Sequence, residues 1–156
     1  MADTSIRDKI ISSVVTKLSV ISKPTYSQTV LQVLEMADDL PQTPSLPVIY
    51  IAEGVEKNNS YDCISFSSKE LQIGIIYLAQ DPSPTTQTKT ARKMLEDVCK
   101  ALQAEFMVLD SGGSNLSISL LEVSNMYEIE KRSGTVYVGM EWVAQYRHQT
   151  GDMTKG

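Results

Sequence analysis

The sequence predicts an α+β fold, a largely antiparallel sheet with two helices on one face, in the element order α-β-β-β-α-β-β. Two stretches repeat apolar residues at helical spacing, five other segments have the alternating or continuously apolar pattern of strands, and the last two form a long hairpin. With 156 residues, of which 42% are hydrophobic, the chain can bury a core. We therefore predict a single domain over residues 1–150 and a flexible C-terminal tail over residues 151–156.

The first helix is predicted over Ser5–Ile21, where apolar residues recur at intervals of three and four. Asp3 or Thr4 is expected to cap its N-terminus, because a short polar side chain can accept hydrogen bonds from the first free amides. Pro24 is expected to end it, since the residue before a proline is pushed out of the α region. The residues predicted to face the core are Ile6, Ile10, Ile11, Val14, Val15, Leu18 and Ile21.

Three strands are predicted between the two helices. Thr29–Glu35 and Val48–Glu53 are the first two, and a proline-rich extended segment separates them. Residues 56–62 are polar and are expected to form a loop. Glu70–Gln80 has apolar residues on both faces, which predicts a central strand. One of its faces carries Leu71, Ile73, Ile75 and Tyr77, and the other carries Ile76 and Leu78.

The second helix is predicted from about Gln87 to Phe106. Residues 111–115, with two glycines, are expected to break the chain as a flexible loop between this helix and the next strand. The glycines lack the spacing of a phosphate-binding loop and do not lie between a strand and a helix. The residues predicted to face the core are Ala91, Met94, Leu95, Val98, Ala101, Leu102 and Phe106.

The closing hairpin contains two alternating strands joined by the turn Lys131–Gly134, where Gly134 suits a positive φ. Its first strand alternates Leu121, Val123, Tyr127 and Ile129. In its second strand, one face is apolar throughout and is expected to lie on the core. That face carries Val136, Val138, Met140, Trp142, Ala144 and Tyr146, and the other carries Tyr137, Gly139, Glu141, Val143, Gln145 and Arg147.

Reactive groups are few. His148, the one histidine, stands beside Arg147 at a strand end, where a surface role is commoner than catalysis. Cys63 and Cys99 are far apart and are expected to be reduced thiols. Without carboxylate help, one histidine and two cysteines cannot supply the four ligands of a structural zinc site. The sequence therefore predicts no catalytic residue, no cofactor and no metal site.

The carboxylates form no catalytic motif. Asp38 and Asp39 are neighbours in a segment expected to be a solvated loop. The glutamates of the hairpin are expected to be ordinary charges at the sheet edge, with Lys131 or Arg147 as cross-strand partners. A paired-carboxylate hydrolase stays open, with no motif to support it. The hairpin glutamates are Glu122, Glu128, Glu130 and Glu141.

The balance of charge narrows the class of partner. Fourteen basic residues and 19 acidic ones give a net charge of -5. Proteins that bind nucleic acid usually carry an excess of basic residues, so this charge argues against a nucleic-acid binder. No export signal is evident, and no apolar run reaches the length of a membrane span. We expect a protein that is made and used in a cytoplasm.

The non-core face of the last strand is half apolar. Scattered surface apolarity is normal, and that interpretation stays open for this face. A subunit interface is the interpretation that we favour, because tyrosine is enriched at interfaces and no other use for the face is visible. The predicted interface residues are Tyr137, Glu141, Val143 and Arg147.

Four segments together have the layout of a known family. They are the helix Ser5–Ile21, the segment Leu46–Glu56 (LPVIYIAEGVE), the helix after Asp81-Pro82, and the closing segment Trp142–Asp152 (WVAQYRHQTGD). This layout resembles the tail terminator and minor tail proteins of long-tailed bacteriophages and prophages. The closing segment is the best match, because such proteins often end in a strand that leads into a Tyr-Arg-x-x-x-Gly-Asp-like tail.

The resemblance implies a structural protein of the virion tail, without catalysis or cofactor and made in the host bacterial cytoplasm. Family members form a hexameric ring that caps the tail tube, ends its polymerisation and offers a surface to the head-completion or connector protein. DNA passes through the lumen of such a ring without specific binding, and no membrane is involved. A head–tail connector or neck protein stays open. So does a small α+β hydrolase or ligand-binding domain, which would depend on Glu141, Arg147 or His148.

Overall fold

The computed structural model describes residues 5–36, 45–63, 66–103, 107–111 and 114–149. Within them, two helices accompany a six-stranded sheet in the order β1-β2-β3-β6-β5-β4. Neighbouring strands are antiparallel except β1 and β2, which are parallel. The predicted fold class is confirmed. The elements are α1 (Ile6–Ser19), β1 (Gln32–Glu35), β2 (Val48–Cys63), β3 (Phe66–Gln80), α2 (Gln87–Gln103), β4 (Met107–Ser111), β5 (Ser114–Glu130) and β6 (Thr135–Gln149).

Both helices pack on one face of the sheet, which we call the inner face; the opposite face is the outer face. Every residue predicted to face the core from α1 is buried, except that Val15 is partly buried. Helix α2 buries its predicted stripe as well, with Leu95 partly buried, while Phe106 lies outside the described residues. The largest side chain at the centre is Trp142 of β6, which is fully buried. The apolar faces that the helical and strand periodicities predict therefore pack together in one core.

The N-terminal cap of α1 differs from the prediction. Ser5 is the capping residue, and its side chain accepts a hydrogen bond from the backbone amide of Asp8 at 3.1 Å. The predicted caps, Asp3 and Thr4, lie outside the described residues. The helix ends at Ser19, which is two residues before the predicted end at Ile21.

Residues 56–62 form part of strand β2, so the prediction of a polar loop there is wrong. They pair with the first residues of β3, and those residues also pair with the end of β6. Backbone hydrogen bonds can hold a polar segment in a strand when its partner strand is already fixed, and this is the physical reason for the difference. Register shifts between Glu53 and Glu56 and at two later positions interrupt the ladder.

Strand β4 is an additional element that the sequence analysis did not predict. It pairs with the start of β5, with Ser111 opposite Ser114. Residues 111, 114 and 115 therefore belong to paired strands, and the expectation of a loop is wrong for them; Gly112 and Gly113 lie outside the described residues. A five-residue strand carries too short a pattern to be separated from a loop by alternation.

A β-bulge divides the apolar residues of β5 between the two faces. The register shifts between Glu122 and Ser124. Before the shift, Leu121 lies opposite Val143 on the outer face; after it, Tyr127 lies opposite Val138 on the inner face. The turn that follows is as predicted, with Gly134 at a φ of 72°.

Candidate assembly surface

Strand β6 has the two faces that its sequence predicts. Its apolar set is buried on the inner face, and the alternate residues point to the outer face. Of the four predicted interface residues, Tyr137, Glu141 and Val143 are half-buried and Arg147 is exposed. The structure places all four on one face of one strand.

Cross-strand neighbours extend this surface over adjacent strands. Tyr137 lies between Leu78 of β3 and Glu128 of β5. Val143 lies between Gln72 and Leu121 in the same way. Together with Ile76, the apolar side chains of the outer face make a mixed surface that no described helix covers.

A shallow depression of about 360 Å³ lies in the middle of the outer face. Its floor is low because Ala52, Gly74 and Gly139, on three neighbouring strands, project little or no side chain. Tyr137 and Glu141 stand at its sides, and Glu141 is the one charged residue among those that line it. This shape can receive a projecting side chain of another protein, and the carboxylate can accept a hydrogen bond from it.

A charged cluster holds the base of the β2–β3 hairpin where it leaves the core. The ammonium of Lys69 lies 2.9 Å from Glu56, and the hydroxyl of Tyr146 donates to the other oxygen of the same carboxylate. Burial raises the pKa of Glu56, but the hydrogen bonds from Tyr146 and Lys69 outweigh it and hold that pKa below its usual value. Burial and the bond to Glu56 raise the pKa of Tyr146.

Sequence reasoning missed this cluster, although a signal for it exists. Lys69 and Tyr146 occupy inward positions in the alternation of β3 and β6. A charged residue at an inward position needs a partner of opposite charge. That partner is Glu56, which lies in the segment predicted as a loop.

A second ion pair lies next to this cluster. Arg7 of α1 pairs with Glu53 and donates a hydrogen bond to the carbonyl of Gly54 at 3.1 Å. Gly54 permits a close approach of the strands, because a Cβ there would lie 2.9 Å from the Cβ of Gln72. The first turn of α1 is thereby tied to the irregular part of β2.

The candidate chemical groups are not brought together in the described residues. The thiol of Cys99 donates to Glu122 at 3.1 Å, and burial raises its pKa to about 12. The backbone of His148 pairs with Ser67 at the end of the sheet. Asp38 and Asp39 lie outside the described residues. Over the described ranges, no three His, Cys, Asp or Glu residues are grouped as metal ligands would be.

None of the described helices has the length and apolar character needed to cross a membrane. No protein-family model matches the chain, and no curated protein matches its sequence. Among solved structures, it is similar to a chain of the "Virion of native gene transfer agent (GTA) particle", with a TM-score of 0.44 and 8% identity over 92% of this chain and 95% of that one. At this TM-score and identity, the similarity leaves the function to be judged from the chain itself.

Proposed function

We propose that this chain is a tail terminator of a bacteriophage or prophage. Six copies form a ring on the end of the tail tube and stop the addition of tube subunits. The ring then presents a surface to the head-completion or connector protein. The role is structural and involves no catalysis.

The character of the outer face is the observation that carries the proposal. An antiparallel sheet with helices on one side usually has polar residues on its solvated side. Here the two central strands instead place Ile76, Leu78, Tyr137 and Val143 on that side, and Ile76 and Tyr137 line the depression. Half-exposed apolar side chains that the protein's own helices leave uncovered are typical of a docking surface. In the proposed assembly, a neighbouring subunit of the ring or the tail tube supplies that contact.

Two further observations support the proposal. The four segments that share the layout of tail terminators include the second half of β6, which carries Val143 and Arg147 of the predicted interface residues. The net charge of -5 suits a lumen that DNA must traverse, because a basic lining would retain the phosphates.

Electron microscopy of tails made without this chain tests the role. Tubes of variable and excessive length are expected, because nothing then stops tube polymerisation. Tails of normal length that lack heads would instead assign the chain to the head–tail connector. Normal virions would contradict both roles.

A substitution on the outer face tests whether that face is a docking surface. Val143→Asp replaces an apolar side chain of the outer face by a charged one, and we expect tails like those made without the chain. Val20→Asp is the matched control, because Val20 is 56% exposed and is the C-cap of α1, a helix that packs on the inner face. Normal tails with Val143→Asp would show that this surface is not used.

A further inference from the structure

Exposed apolar side chains are concentrated at two opposite edges of the sheet. Among the described residues, eight large apolar side chains are exposed, and seven of them lie on these edges, with Val20 the exception. We call the first the β5 edge and the second the β1–β2 edge. The β5 edge carries Leu121, Val123, Met126 and Tyr127, and the β1–β2 edge carries Leu31, Met36 and Val55.

Both edges also offer unpaired backbone. Residues 119–130 of β5 pair with β6 on one side, and no described strand pairs with their other side, since β4 pairs only with 114–118. Strand β1 covers residues 48–51 of β2, and no described strand covers that side of residues 52–63. An unpaired edge with apolar side chains is a template for a strand from another chain.

The charges of the two edges indicate which strand each accepts. From Ser114 to Glu130 the sequence has three glutamates and neither lysine nor arginine, so β5 paired with itself would set like charges against each other. The β1–β2 edge and its surroundings carry Glu35, Glu53, Glu56 and Asp62 together with Arg7, Lys57 and Lys69. Four acidic and three basic residues leave that edge with a net charge of -1, against -3 for β5, so it is the less repulsive partner for β5.

Strand direction agrees with this pairing. Strand β5 runs antiparallel to β6, β6 to β3, and β3 to β2, so β5 and β2 run in opposite directions. In a ring whose axis lies along the strands, every copy keeps the same strand directions. The β5 edge of one copy therefore meets the β1–β2 edge of the next in antiparallel orientation. An interface between two different surfaces is heterologous, and heterologous interfaces generate rings.

We propose that copies of this chain join head to tail through their sheet edges, with the β5 edge of one copy against the β1–β2 edge of the next. The inference rests on the self-assembly that the proposed function requires, and it names both halves of the contact. Val143 lies directly beside Leu121 of the β5 edge, so the outer-face residues of β6 border the same interface.

Complementation between two edge variants tests the pairing. Val123→Asp blocks the β5 edge and Val55→Asp blocks the β1–β2 edge; both side chains are more than half exposed, so neither change alters the core. Each variant alone should associate at least about tenfold more weakly than the parent, which corresponds to ~1.4 kcal/mol. An equimolar mixture should form dimers and nothing larger, because each dimer has one intact pair of edges. Val20→Asp, also exposed, should assemble like the parent.

Sedimentation velocity of the full chain over a range of concentrations distinguishes the outcomes. If Val55→Asp assembles like the parent while Val123→Asp does not, the β5 edge pairs with itself and the inference is wrong. A parent that stays monomeric at every concentration, or a mixture without dimers, also overturns it. Leu121→Asp and Leu31→Asp form a second pair, should either first variant fail to fold. If the chain limits tail length but fails this test, the proposed function stands and only the edge pairing is wrong.

Discussion

Replacing Lys69 by methionine tests how the base of the β2–β3 hairpin is held. The side chains of Lys69 and Glu56 are each only 11% exposed, and their charged atoms are 2.9 Å apart. Methionine fills a similar volume but leaves the carboxylate without this ion pair, with Tyr146 still donating to it. Breaking a buried pair from one side costs 3–5 kcal/mol, so we expect the free energy of unfolding to fall by ~3 kcal/mol.

Chemical denaturation at pH 7 measures this loss, and the double variant Lys69→Met with Glu56→Gln completes a mutant cycle. The two changes should couple by about 1–3 kcal/mol, because glutamine removes the charge that Lys69→Met leaves unpaired. Lys100→Met is a control, since Lys100 is exposed and its ammonium donates to a backbone carbonyl. A fall of about 1 kcal/mol or less in the free energy of unfolding of Lys69→Met is typical of a solvent-exposed ion pair. That result would contradict a buried pair between Lys69 and Glu56.

The pH dependence of the same variants gives an independent check. The folded pKa of Glu56 lies below its ordinary value of 4.5, so its contribution to stability is present above pH 4.5 and is lost as the pH falls through the folded pKa. The difference in stability between the parent and Glu56→Gln should therefore shrink below pH 4.5. A difference that stays constant to lower pH would show that the carboxylate is not held in its charged form.

Three further predictions concern stability and reactivity. Gly134→Ala should cost about 2 kcal/mol in a denaturant titration, because φ is positive there and a Cβ would lie 2.8 Å from the carbonyl oxygen of Asp81. Gly139→Ala is its control and should change stability by about 0.5 kcal/mol or less, since the nearest atom would lie 3.4 Å away; equal losses would contradict this account. Ser5→Ala should lower the thermal midpoint through a loss of about 1 kcal/mol, while an unchanged midpoint would show that the cap is not used. Cys99 should react with iodoacetamide at pH 8 much more slowly in the folded than in the denatured chain, because burial raises its pKa to about 12, and equal rates would disprove that.

The elements that the sequence predicts correctly are those with a long pattern of one period. Helix α1 repeats apolar residues over four turns, and β6 alternates through its whole length, so both their type and their buried face follow from spacing. Strand β4 and residues 56–62 carry no such pattern. Their strand conformation comes from pairing with β5 and β3, and pairing partners cannot be found by reading one segment alone.

The same distinction applies to the assembly surface. Alternation along β6 correctly places Tyr137, Glu141, Val143 and Arg147 on one face. The depression beside them requires Ala52, Gly74 and Gly139 to be neighbours, which depends on the register of three strands. The exposure of the β5 edge depends on a bulge and on the order of strands, and neither is visible in a single sequence.

The length distribution of tail tubes assembled from purified tube protein, with and without this chain, tests the central claim most directly. Added during assembly, the chain should shorten the tubes in proportion to its concentration and be found at one tube end, because a capped end accepts no further subunits. Val143→Asp should leave the tubes as long as those assembled without the chain. An unchanged length distribution with the parent chain, in tubes that otherwise assemble normally, would contradict a terminator role.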